Sequence, residues 1–182
     1  MIARVVLVLE GPPGAGKTVL AAQLAALGFR TVKEVPAPRI PRSGEWAWAA
    51  SDLAKAAAAR VSRHPVVIDR GYLSTAAYAG VTAPWRSQKR FITALNRAFP
   101  PHTTVLLEID PAEGLRRKHR RIQLGEPFAD PGLLRQQSAL VRAWVTTLGL
   151  AHVSLDANQA SCEVTRDLLA LLAIGAVGMS AT

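Results

Sequence analysis

The eight residues Gly11-Pro12-Pro13-Gly14-Ala15-Gly16-Lys17-Thr18 constrain this chain more than any other stretch. They satisfy GxxxxGK[ST] in full, and their neighbours supply the context that makes the pattern meaningful. Before them, Val5-Val6-Leu7-Val8-Leu9 is continuously apolar, as in a strand covered on both faces. After them, Leu20, Leu24 and Leu27 recur at helical spacing. A strand, a glycine-rich turn and a helix N-terminus, in that order, aim backbone N–H groups and the positive helix end at an anion. Gly11, Pro13, Gly14, Ala15, Gly16, Lys17, Thr18 and Val19 are therefore expected to hold a nucleoside triphosphate. In such a loop Lys17 reaches the β- and γ-phosphates and the Thr18 hydroxyl ligates Mg²⁺. ATP and Mg²⁺ are the expected cofactors.

The rest of the chain repeats the alternation of apolar runs with helical patterns, which argues for βα units and a mostly parallel sheet. Strands are expected at Arg30 to Val35, Pro65 to Ile68, Thr104 to Ile109 and Val153 to Leu155. Helices are expected at Trp46 to Val61, Arg86 to Phe99, from Asp110-Pro111 onward, and around Val141 to Leu148 and Val164 to Leu171. The expected architecture is a three-layer α/β fold, with five strands and helices on both faces. Residues 1–175 form one domain, with a short basic lid at about 116–131 and a tail at 176–182.

Composition narrows the class. With 49% hydrophobic and 19% charged residues over 182 positions, the chain has enough apolar content for one ordinary core. One cysteine, Cys162, rules out an intrachain disulfide framework, and four scattered histidines offer no metal-ligand spacing. The apolar LLALLAIGAVGM near the C-terminus is shorter than the roughly 20 residues a membrane span needs. A cytoplasmic protein without a membrane contact is expected. The net charge of +9 suits a polyanionic partner, either nucleic acid or small phosphates.

Downstream residues separate the classes that share the phosphate loop. No NKxD segment is present for reading guanine. An AAA-type ATPase is expected to be larger and to carry a carboxylate pair at the end of a longer apolar strand. Here VVIDRGYLSTAAYAG ends its strand in one acid. Asp69 stands where a carboxylate holds Mg²⁺ through water, and Arg70 faces the same strand ends, where open α/β sheets bind ligands.

Four pieces, EGPPGAGKT, DRGYLSTAAYAG, LLEIDPAEGLRRKHRR and SLDANQASCEV, resemble the thymidylate kinases and, more loosely, the deoxynucleoside kinases. Thymidylate kinases carry EGxxGxGK, DRYxxSxxAYQG, a strand ending in D-x-P before an arginine-rich helix, and a late IDA strand. Asp69, Arg70, Ser74, Ala77, Tyr78 and Gly80 match the second piece. The resemblance implies a P-loop nucleotide-kinase fold, a phosphotransferase and a homodimer. Lys33-Glu34-Val35-Pro36 replaces their Arg-Glu-Pro-Gly, Gly71 their tyrosine and Ala79 their glutamine. The acceptor therefore stays open among a nucleoside monophosphate, a nucleoside or an antibiotic-like hydroxyl compound. A polynucleotide 5′-hydroxyl end and a non-catalytic ATP-binding role are the rival readings.

Phosphoryl transfer needs alignment and positive charge more than covalent chemistry. The run Arg116, Arg117, Lys118, Arg120 and Arg121 resembles the mobile lid of nucleotide kinases, from which Arg116 and Arg120 are the candidate catalytic cations. Glu34 is the candidate base for a hydroxyl acceptor. A phosphate acceptor would instead be held by Arg39, Arg42 and Arg70. Trp48 and Tyr78 are candidates for stacking on an acceptor ring. Trp85 and Trp144 are assigned to packing, and Glu126 and Asp130 to holding the lid arginines when the lid is open.

Overall fold

The continuous apolar run before the phosphate loop is explained by its place in the sheet. In the computed structural model, which describes residues 5–33, 44–82, 88–118 and 130–178, strand β1 (Val6–Glu10) is buried along its whole length. Its side chains alternate between two cores. Val6 and Val8 enter one with Ile68, Tyr72, Leu73, Ile92 and Val141, whereas Leu7 and Leu9 enter the other with Leu20, Leu24, Val105, Leu155 and Leu168. A strand that feeds two cores cannot carry an alternating polar pattern. Each of its large apolar side chains contributes about 1.5–3 kcal/mol by leaving water.

Along the chain, β1 is followed by α1 (Lys17–Ala26), β2 (Arg30–Val32), α2 (Gly44–Val61), β3 (Val66–Asp69), α3 (Tyr72–Thr82) and α4 (Gln88–Ala98). Then come β4 (Thr103–Glu108), α5 (Pro111–Lys118), α6 (Pro131–Thr147), β5 (His152–Asp156) and α7 (Ser161–Gly178). The sheet order is β2-β3-β1-β4-β5, and each of its four strand pairings is parallel. Helices α1 and α7 supply one core, while α2, α3, α4 and α6 supply the other. This is the expected three-layer architecture.

Local signals set several boundaries. Asp110 accepts from the N–H groups of Ala112 (2.8 Å) and Glu113 (3.2 Å), so Asp-Pro starts α5 as anticipated. Asp130 does the same for α6 through Gly132 N–H at 2.7 Å. Its side chain is thus the N-cap of α6, while Trp85 and Glu126 lie outside the described residues. Helix α3 was not assigned from sequence; Tyr72, Leu73, Ala76 and Ala77 form its buried face. Strand β2 stops at Val32 rather than Val35, and α7 runs through Gly178, past the expected start of a tail at 176. Trp144 packs against the larger core, as expected. Among the described residues no helix is long and apolar enough to cross a membrane.

His102 lies against that larger core, 6.1 Å from the Tyr72 ring and 5.7 Å from the Phe99 ring. Its Nδ1 is 2.8 Å from the Pro100 carbonyl oxygen and so carries the proton, while buried Nε2 meets no partner among the described residues. Burial holds its pKa below the ordinary histidine value, with the Pro100 hydrogen bond pulling weakly the other way. The unfolded chain therefore binds more protons, and stability falls as pH drops. The contribution is complete above about pH 6.5 and is lost as pH falls through the lower folded value. Urea unfolding between about pH 7.5 and 5.5 should show this slope, and His102→Leu should flatten it. An equal slope in both proteins would assign the titration elsewhere.

Candidate active site

The loop between β1 and α1 closes on itself. Gly14 and Gly16 both adopt φ of +84°, and Gly16 caps α1. A Cβ on Gly14 would run into the carbonyl of Gly114 on α5, so the tip needs glycine for space as well as for backbone freedom. Lys17 is 4% exposed and donates from Nζ to the carbonyl oxygens of Gly11 (2.7 Å) and Pro12 (2.8 Å). Its ammonium thus arches over the loop. Thr18 Oγ1 donates to Asp69 Oδ2 at 2.7 Å, joining the loop to the end of β3. A hydroxyl and a carboxylate are hard oxygen donors that suit Mg²⁺. The pair fits the ion that the motif implies.

The turn after Asp69 is built by side chains from three elements. Arg70 has φ of +65°, the sole positive value at a non-glycine among the described residues. A left-handed non-glycine costs on the order of 1 kcal/mol and persists where its surroundings dictate it. Here they do. The Arg70 carbonyl accepts from Lys55 Nζ at 3.0 Å, and Lys55 also meets Asp52 Oδ1 at 3.1 Å. Thr75 Oγ1 donates to the other Asp52 oxygen at 2.7 Å. On the far side of the turn, Gly71 N–H donates to Glu10 Oε1 at 3.2 Å, and the Ser74 hydroxyl donates to Glu10 Oε2. A Cβ on Gly71 would lie 2.5 Å from Val8 Cγ1 and 3.0 Å from Glu10 Oε1, which explains glycine in this DRG turn.

Glu10 is fully buried, and that burial pushes its carboxyl pKa up. The nearby negative charge of Asp52 adds to the rise, whereas the Ser74 hydrogen bond, Arg70 and Lys17 oppose it. Asp52 and Lys55 are likewise buried, at 0% and 3% exposure. Ion pairs this dry are strongly coupled to their geometry, because neither partner can turn to water.

The other expected site residues fall into two groups. Trp48 and Tyr78 come together from α2 and α3, with ring centroids 6.4 Å apart and planes tilted by 41°. Val19 is exposed on the first turn of α1. Arg116 is engaged by Glu113, which accepts at 2.6 and 2.8 Å, and Arg117 Nε donates to the same carboxylate at 2.6 Å. The two guanidinium groups pull the Glu113 pKa down to about 2. Arg117 also donates to the carbonyls of Ala157 (2.7 Å) and Asn158 (2.8 Å), so it ties α5 to the loop after β5. Glu34, Arg39, Arg42 and Arg120 lie outside the described residues. Sequence reasoning missed Glu10, Asp52, Lys55 and Gly114. Glu10 stood inside the quoted EGPPGAGKT, but Asp52 and Lys55 sit in an alanine-rich helix with no local pattern to mark them.

Comparison with known proteins bears on this geometry. A family model described as an AAA domain matches residues 6–126. The chain is 27% identical to a probable thymidylate kinase of Pyrobaculum calidifontis, covering 90% of this chain and 93% of the relative. Among solved structures it is similar to deoxyadenosine kinase from M. mycoides with bound dATP, at a TM-score of 0.74 and 12% identity, covering 92% and 99% of the two chains. It is also similar to the YorR protein of Bacillus subtilis in complex with phosphorylated GDP, at a TM-score of 0.66 and 24% identity, covering 94% and 97%. The family match stands although the chain has 182 residues and β3 ends in a single acid, Asp69. The resemblance to thymidylate and deoxynucleoside kinases is borne out in fold and relatives. The chain belongs to the AAA domain family, and it shares its fold with a deoxyadenosine kinase.

Proposed function

We propose that the protein transfers the γ-phosphate of Mg²⁺-ATP to a nucleoside monophosphate. The observation that carries this reading is the Thr18–Asp69 contact at 2.7 Å, which brings two hard oxygen donors together beside a complete phosphate-loop sequence. Gly11, Pro13, Gly14, Ala15, Gly16, Lys17, Thr18 and Val19 hold ATP. Bound Mg²⁺ supplies charge neutralisation of the phosphates, with Thr18 and Asp69 as its protein donors.

An acceptor oxygen attacks the γ-phosphorus, the bond to the β,γ-bridging oxygen breaks, and ADP leaves. A phosphate acceptor is already an anion and needs no base. Arg39, Arg42 and Arg70 hold it, Trp48 and Tyr78 flank its base, and Arg116 and Arg120 enter as the lid at 116–131 closes and excludes water. The enzyme works as one domain in the cytoplasm, where ATP is supplied. A curated relative carrying the name probable thymidylate kinase favours this acceptor.

The second reading, a nucleoside acceptor with Glu34 as base, is favoured by the likeness to a deoxyadenosine kinase. ADP release from Mg²⁺-ATP across nucleosides, nucleoside monophosphates and a short 5′-hydroxyl oligonucleotide decides between the classes. Glu34→Gln is expected to leave a phosphate acceptor within about threefold of wild type and to slow a hydroxyl acceptor by about 10²-fold or more. Stimulation by nucleosides with the larger loss would overturn the monophosphate reading. ATP binding with no stimulation across the panel would overturn both.

A further inference from the structure

Glu10 is a fully buried carboxylate that takes no part in the proposed transfer. It closes β1, and the parallel register that sets Leu9 beside Asp69 brings it level with the turn into α3. Arg70 N–H donates to the Leu9 carbonyl at 3.2 Å. The next peptide plane, between Arg70 and Gly71, is held at both ends. Its carbonyl accepts from Lys55 Nζ at 3.0 Å, and its N–H donates to Glu10 Oε1 at 3.2 Å. Both side chains are buried, Glu10 at 0% and Lys55 at 3% exposure, so neither charge can turn away to water. The Ser74 hydroxyl donates to Glu10 Oε2 and keeps the carboxylate turned toward Gly71.

We infer that Glu10 is a positioning residue for phosphoryl transfer, fixing Arg70 by clamping the Arg70–Gly71 peptide between its own carboxylate and the Lys55 ammonium. The inference rests on the phosphotransferase reading above and deepens it. A peptide unit is a dipole, and this one points its N–H at the anion and its carbonyl at the cation. Rotating the plane would turn the carbonyl toward a carboxylate and the N–H toward an ammonium, so the two charges select one orientation. That orientation holds Arg70 at φ of +65°. A charge-assisted hydrogen bond at each end outweighs the strain of a left-handed residue that is not glycine. Glycine at 71 lets the N–H close on the carboxylate, because a Cβ there would lie 3.0 Å from Glu10 Oε1. Glu10 is followed directly by Gly11, whose carbonyl holds Lys17 at 2.7 Å. One residue thus ties the arginine assigned to the acceptor to the loop assigned to ATP.

Glu10→Met keeps the volume but offers Gly71 no acceptor, whereas Glu10→Gln keeps an oxygen for Gly71 while its amide turns to Ser74. Melting curves confirm the fold of each. With 2′-deoxynucleoside 5′-monophosphates and their nucleosides as acceptors, Glu10→Met should raise the acceptor KM about tenfold and leave KM for ATP within about twofold. Glu10→Gln should return the acceptor KM to within about threefold of wild type. A fold that is merely less stable would lower kcat and leave KM alone. In an Arg70→Gln background, Glu10→Met should add less than about twofold, because Glu10 acts through Arg70. A wild-type acceptor KM in Glu10→Met, or a further rise of full size in the Arg70→Gln background, would overturn the inference. Should Glu10→Met not fold, Glu10→Asp replaces it with the same expected rise, since it keeps the charge but falls one methylene short. If wild type phosphorylates none of these acceptors, the phosphotransferase reading fails separately, and amide hydrogen exchange at Gly71 decides on the clamp. Slow exchange that becomes fast in the variant sustains it, and equal rates in the two proteins remove it.

Discussion

Lys17→Ala is expected to reduce acceptor-dependent ADP release to below about one-thousandth of wild type. The ammonium is buried over the loop, bonded to the Gly11 and Pro12 carbonyls, and is the one cation that the loop itself supplies. A preorganised donor aimed at developing negative charge in a site shielded from water is typically worth 10²–10³ in rate. A formal charge over the transferred phosphate belongs at the upper end. The fold should survive, because both hydrogen bonds run to carbonyls only five and six residues away in the same loop. Their loss costs about 1.5–3 kcal/mol. Turnover assayed beside a melting curve separates the effects. A folded variant with wild-type turnover would remove the phosphate loop from the reaction.

Lys55→Met is expected to lower the free energy of unfolding by about 3–5 kcal/mol, the largest stability loss predicted for a single substitution in this chain. The methionine keeps the volume, but Asp52 is left as a fully buried carboxylate whose described counter-charge is gone, and the Arg70 carbonyl loses its donor. Removing one partner of a dry ion pair exposes the full desolvation penalty of the other, which is why the expected loss exceeds that of any exposed pair. Asp52→Asn in the same chain should recover part of it, since a neutral amide still accepts from Thr75. Urea unfolding of the two single variants and the double variant gives the coupling directly. A loss under about 1 kcal/mol for Lys55→Met would mean that the pair does not hold the turn. The acceptor KM should rise as well, because Arg70 keeps its left-handed backbone through this contact.

Much of the scaffold was legible before any coordinates. The unbroken Val6–Leu9 run announced a strand with two cores, and Asp110-Pro111 announced a helix start, because both features act through their immediate neighbours. The phosphate loop was legible for the same reason: glycine spacing, the lysine and the threonine work within one turn. Helix α3 escaped because its buried face is made of Tyr72, Leu73, Ala76 and Ala77 inside a stretch read first for its chemistry. Arg116 was legible as a basic residue of a helix-to-loop segment, but its bidentate partner Glu113 was not weighed.

By itself, then, the sequence determined the strand–loop–helix with its phosphate-loop pattern, the parallel α/β class and the single acid at the end of β3. Each of these is encoded by residues adjacent in the chain, where period and turn chemistry suffice. Only the tertiary structure decided that Lys55 and Asp52 of α2 stand behind Arg70 and that Glu10 anchors Gly71 and Ser74. Those contacts join residues far apart in sequence through the order of the strands, and a buried charge acquires its partner only when the sheet brings the helices above it together.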